Sequence, residues 1–213
     1  MRHLLIAFSA AAGIGFTVTL GAQKTTDFGP GDGGSPHVRT EWTIDRANIS
    51  ITYGRPYLKG RRESRMMPPG QVWRTGADQQ TTLETDKPLK FGTLNVPAGT
   101  YGLYTVPGPS EWQLIVSKRA SGWGTPYPQG ADLGRVPMKV GKANAHVELL
   151  TISIDDTPEG ATLRIEWGTT SVSAPFTVGQ SSASRNFSQS PEIFPDRELP
   201  DFLQANTNSG GWR

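Results

Sequence analysis

Leu163-Arg164-Ile165-Glu166-Trp167 and, after Gly168-Thr169-Thr170-Ser171, the run Val172-Ser173-Ala174-Pro175-Phe176-Thr177-Val178 decide the fold. In both, apolar side chains take every second place: Leu163, Ile165 and Trp167, then Val172, Ala174, Phe176 and Val178. Successive side chains of an extended chain point to opposite faces, so a period of two marks a strand with one face turned inward. The same alternation returns upstream in Ile49, Ile51 and Tyr53 against Ser50 and Thr52. It returns again in Trp112-Gln113-Leu114-Ile115-Val116-Ser117, where Ile115 implies burial on both faces. Further strands are predicted at Val38–Ile44, Thr81–Thr85, Lys90–Val96, Thr100–Val106, Val136–Val140 and Val147–Ile154. No stretch carries helical periodicity, and the sequence has no internal repeat.

The breaks between these runs carry turn chemistry. Asp155-Asp156-Thr157-Pro158-Glu159-Gly160 joins an Asx-type start to a fixed proline angle and a permissive glycine. Trp167-Gly168-Thr169-Thr170 reads as a tight hairpin connection. About ten short strands so spaced predict an all-β fold, a two-sheet antiparallel sandwich or jelly roll, with a closed β-barrel as the alternative. Composition agrees. The 213 residues include 25 glycines and 17 prolines, which suit turns and weaken helix interiors. That length fits one domain, placed at 36–178.

The ends read differently. Residues 1–22 have the form of a signal peptide: Met1-Arg2-His3, an uncharged and mostly apolar run from Leu4 to Leu20, then Gly21-Ala22 before Gln23. The chain is therefore expected to be periplasmic or secreted, with an uncleaved amino-terminal membrane anchor as the alternative. No stable membrane span is expected after cleavage, because no other segment is long and apolar enough. Residues 23–35, with Gly29-Pro30-Gly31-Asp32-Gly33-Gly34, read as a flexible spacer. Residues 179–213, rich in serine, asparagine, proline and glutamine, read as a mostly disordered tail. There is no cysteine, so disulfides, thiol catalysis and thiolate metal sites are excluded. A net charge of +2 gives no field for nucleic acid, and none is expected as a partner.

The sequence assembles no catalytic signature. The Gly-x-Ser-x-Gly elbow is missing, and His37 beside the spacer is poorly placed to hold a base. His146 and Glu148 would share one strand face, but two groups fall short of a zinc site, and Asp155-Asp156 lacks a calcium loop. No metal or cofactor is expected. Glycosidase chemistry would need two facing carboxyl groups, and Glu41, Asp78, Glu111, Asp132 and Glu166 cannot be paired from sequence. The one charge concentration lies within residues 55–74. There Arg55, Lys59, Arg61, Arg62, Arg65 and Arg74 stand against the single carboxylate Glu63. Guanidinium groups match carboxylates and phosphates, and flat apolar rings suit sugars or aromatic ligands. The candidate ligand-binding residues are accordingly Arg55, Lys59, Arg61, Trp73, Arg74, Trp123 and Tyr127. The competing reading is a solvated loop with Trp73 in the core.

Several of these residues sit in motifs with a family resemblance. Ile51-Thr52-Tyr53-Gly54-Arg55-Pro56, Lys59-Gly60-Arg61, Val72-Trp73-Arg74-Thr75-Gly76-Ala77 and Pro97-Ala98-Gly99-Thr100-Tyr101, with Pro107-Gly108, Trp112, Trp123-Gly124 and Ile165-Glu166-Trp167, resemble a bacterial domain of unknown function, DUF 2911. Two departures add charge: Asp78 stands where the family usually has asparagine, and Arg62-Glu63-Ser64-Arg65-Met66-Met67 replaces an Ile-Phe-Gly-like segment. The resemblance implies an exported, β-rich protein with no established activity and no catalytic residues to carry over. The resulting expectation is a non-enzymatic protein that binds a small anionic or carbohydrate-like ligand or an envelope component. The alternatives are a glycan-active hydrolase or lyase, and an assembly protein using its carboxy-terminal tail.

Overall fold

Ten antiparallel strands and one helical turn make up the fold in a computed structural model, which describes residues 23–179. The expected signal peptide and nearly all of the expected tail lie outside the described residues. In chain order the elements are β1 (Lys24–Pro30), β2 (Pro36–Ile44), β3 (Ala47–Gly54), α1 (Glu63–Met66), β4 (Ala77–Thr85), β5 (Leu89–Phe91), β6 (Leu94–Val96), β7 (Gly99–Val106), β8 (Glu111–Ser117), β9 (Asp132–Thr157) and β10 (Gly160–Val178). All ten strands join one hydrogen-bonded sheet in the order β1-β2-β3-β4-β7-β8-β9-β10-β5-β6. The all-β antiparallel expectation holds, and the sheet does not close into a barrel.

Alternation predicted the inward faces correctly. Trp42, Ile44, Ile49, Ile51, Leu163, Ile165 and Trp167 are all buried, and Ile115 is buried on its own face as expected. Each large side chain so removed from water contributes roughly 1.5–3 kcal/mol. The sheet is folded over this core far enough that β3 reaches β9. The Tyr53 hydroxyl accepts the Ile152 N–H at 2.9 Å and donates to the Ile152 carbonyl at 3.5 Å. Arg55 Nε donates to the Leu150 carbonyl at 2.9 Å, and Leu150 N–H donates to the Pro56 carbonyl at 3.1 Å. Individual groups of residues 53–58 thereby satisfy the outer edge of β9, where bare backbone groups would otherwise be left unpaired.

Three expectations are corrected. Residues 24–30, placed in the flexible spacer, form β1 and pair with β2 from Lys24↔Glu41 to Pro30↔Pro36. Cross-strand pairing supplies partners that the glycine-rich composition concealed. Gly168 makes no hairpin; it lies inside β10 with φ +64, where the register shifts on both sides because β9 bulges opposite it, running from Thr151 to Lys142 while β10 goes from Glu166 to Thr170. The extra residues stand on β9, and β10 runs on through Gly168 without reversing. Conversely, the predicted strand at Lys90–Val96 is split into β5 and β6 by a turn at Gly92, φ +56.

Candidate functional site

Loops from three parts of the chain meet at one end of the sheet around an open cleft of about 690 Å³. The β1–β2 loop brings Gly33, Gly34 and Ser35; the long β3–β4 connection brings Tyr57, Lys59, Arg61, Trp73 and Arg74; the β8–β9 loop brings Thr125. Trp73 is fixed from both sides. Its backbone exchanges two hydrogen bonds with Thr105 of β7, at 2.7 and 2.9 Å. Its indole stacks on Trp167 with centroids 5.9 Å apart and meets the edge of Trp112 at 6.3 Å. Both are favoured aromatic geometries, and they make one wall of the cleft rigid.

Of the residues predicted for the site, Lys59, Arg61, Trp73 and Arg74 line the cleft. Among the described residues, none of Lys59, Arg61 and Arg74 forms an ion pair with a carboxylate. Arg61 is held by its own loop, donating to the Leu58 carbonyl at 2.9 Å and to the Tyr57 carbonyl. Arg74 Nε donates to the Gly76 carbonyl at 3.2 Å. Its aliphatic stem lies against Gly124, where a Cβ would come within 2.9 Å of Arg74 Cδ. Gly124 thus lets the β8–β9 loop close onto the arginine.

Three predicted residues are not cleft-lining. Arg55 turns away, its guanidinium spent on the Leu150 carbonyl and on Thr151 Oγ1. Tyr127 donates to Asp132 Oδ1 and packs edge-on against Tyr104 at 5.1 Å. Trp123, 42% exposed and bridged to Gln79, stands beside the cleft on the loop that supplies Thr125.

Sequence reading missed the pair at the cleft's inner end, Asp78 and His37. Asp78 is 5% exposed, the only Asp, Glu, Lys, Arg or His among the described residues to be buried. Its Oδ2 accepts the Gly33 N–H at 3.4 Å and lies 3.6 Å from His37 Nε2. The second distance suits an ion pair, available when the imidazole is protonated, but is too long for a hydrogen bond, and Nε2 is buried without another partner. His37 Nδ1 sits 3.0 Å from the Ser35 carbonyl. The Asp78 carbonyl accepts the Gly124 N–H at 3.0 Å, so this one residue ties the β1–β2 and β8–β9 loops together.

Backbone strain gathers here too. Asp78 (φ +60), Thr75 (φ +57) and Lys59 (φ +50) are three of the five non-glycine residues with positive φ among the described residues. Thr75 is β-branched and wholly buried, so its conformation is costly and must be imposed by its surroundings. Those surroundings are Trp73 and Thr105, bonded through Thr75 Oγ1, and Thr81, which donates to the Thr75 carbonyl at 2.9 Å.

Other chemistry finds less support in this geometry. Among the described residues Asp78 is the only carboxylate lining the cleft, and they assemble no facing pair of the kind glycosidase chemistry needs there. Among the described residues no three His, Asp or Glu side chains gather as metal ligands. His146 and Glu148 form only an exposed pair at 3.2 Å. No described helix is long and apolar enough to cross a membrane. The model of a family described as a protein of unknown function, DUF2911, matches residues 35–176, two thirds of the chain. No curated protein and no solved structure matches.

Proposed function

The chain belongs to the DUF2911 family, whose function is unknown, and we propose an exported, non-enzymatic protein that holds a small anionic or carbohydrate-like ligand in the cleft beside Trp73. One observation carries this reading: three cationic side chains surround an aromatic wall without carboxylate partners among the described residues. Charges left unneutralised on a concave surface attract an anion, and the cleft volume falls within the roughly 300–1000 Å³ typical of small-ligand sites. The strained backbone at Lys59, Thr75 and Asp78 supports a site whose shape is set before the ligand arrives. Export rests on the amino-terminal stretch alone; a mature protein beginning at Gln23 in a cell-envelope or medium fraction would bear it out.

The test is a calorimetric titration of organic anions into the wild type, Arg74→Ala and, as control, the exposed Lys118→Ala. A charge-assisted hydrogen bond contributes about 1.5–3 kcal/mol, so Arg74→Ala should weaken binding by at least about tenfold. Lys118→Ala should leave it unchanged. Equal effects of the two substitutions would remove the cleft as the site.

A further inference from the structure

We infer that the cleft reads a hydroxyl as well as an acid, so that its ligand is a polyhydroxy carboxylate of the sugar-acid class. This rests on the binding role proposed above and adds the group recognised at the inner end. The new element is Asp78. An ionised carboxylate offers about four acceptor positions and no donor. Among the described residues, Asp78 Oδ2 takes one long bond from Gly33 N–H, and Oδ1 takes none. A carboxylate whose acceptor positions open onto a cleft is matched by a ligand donor that takes the place of solvent there.

The donor could belong to a hydroxyl or to an ammonium group, and the surrounding charge separates the two. Lys59, Arg61 and Arg74 line the same cleft, with Asp78 as their only acidic companion among the described residues. His37 stands 3.6 Å from Asp78 and, when protonated, offsets its charge further. A ligand ammonium would add one more cation to an already cationic surface, whereas a hydroxyl donates without charge. The arginines and the lysine take the ligand's carboxylate, as guanidinium geometry favours. Tyr57, 39% exposed on the cleft lining, adds a flat apolar surface on which a sugar ring can rest.

Two matched ligand pairs test this. Galacturonate and galactose differ by the acid; tartrate and succinate differ by the hydroxyls on one dicarboxylate skeleton. In the wild type, galacturonate should bind at least tenfold tighter than galactose, and tartrate at least tenfold tighter than succinate. Asp78→Asn should abolish the preference for tartrate while leaving succinate binding equal or tighter, since a negative charge has gone. Asparagine tolerates the left-handed backbone at this position, and a thermal melt checks that the variant folds. The ligand pairs decide the matter in the wild type even if it does not.

Tartrate and succinate binding equally, or both weakening alike in Asp78→Asn, would overturn hydroxyl recognition while leaving the anion site standing. Tartrate binding without galacturonate binding would overturn the sugar assignment. If none of the acids binds, the cleft reading itself fails and this inference falls with it.

Discussion

Glu63 shows how one carboxylate holds a loop. It accepts the Thr169 N–H at 2.6 Å, the Thr169 hydroxyl at 3.0 Å and the Thr170 hydroxyl, bonding α1 to β10 just after Gly168. Burial resists its charge, but the hydrogen bonds from Thr170 and Thr169 outweigh that and hold the carboxyl below the usual glutamate range. A group with a depressed folded-state value stabilises above its unfolded value and loses that contribution as pH falls through the folded one. Glu63→Gln should therefore cost roughly 1 kcal/mol at neutral pH in urea unfolding. The gap to wild type should narrow as pH drops below the ordinary glutamate range; a gap constant with pH would contradict this account. At the same scale, Arg61 and Arg74 were legible because their charge and spacing are local. Asp78 and His37 were not, since their meeting depends on β2 and β4 flanking β3, with Gly54 paired to His37 on one side and to Ala77 on the other. The available signal was Gly54, where a Cβ would fall 2.4 Å from the Ala77 carbonyl and 2.7 Å from His37 Nε2.

Among the elements, side-chain period carried most of the information. Strands predicted at Val38–Ile44, Thr81–Thr85 and Thr100–Val106 lie within β2, β4 and β7. Those predicted at Val136–Val140 and Val147–Ile154 prove to be two parts of the single strand β9, joined through the exposed residues 141–146, whose polarity looked like a break. Pairing with β10 holds Gly141 and Lys142 and resumes at Val147, and the strand bulges through 143–146 between them. How β9 satisfies its outer edge was hidden as well, because its partners are scattered side-chain and backbone groups of residues 53–58, the Tyr53 hydroxyl among them. Tyr53→Phe keeps the ring but leaves the buried Ile152 N–H without its 2.9 Å acceptor. The expected loss is about 1–3 kcal/mol, read as a lower urea midpoint with an unchanged slope. Stability within about 0.3 kcal/mol of wild type would mean that another group closes this edge.

Across the whole molecule, the sheet order sets a gradient of protection. β4, β7 and β8 lie inside the ladder with bonded neighbours on both sides, whereas β1 and β6 end it. Amide hydrogen exchange should be slowest in β7 and β8 and fastest in β1 and β6; equal protection from rim to centre would argue against one continuous ladder. That order also has a temporal side. The β5–β6 hairpin is made of residues 89–96, yet its neighbour is Thr177-Val178 at the far end of β10. During synthesis, more than eighty residues must emerge after the hairpin before its docking strand exists, while β1 to β4 can already zip together. Completion of the described sheet is thus reserved for its last strand in chain order, and until that strand arrives Phe91 lacks the Phe176 ring it packs against at 4.9 Å.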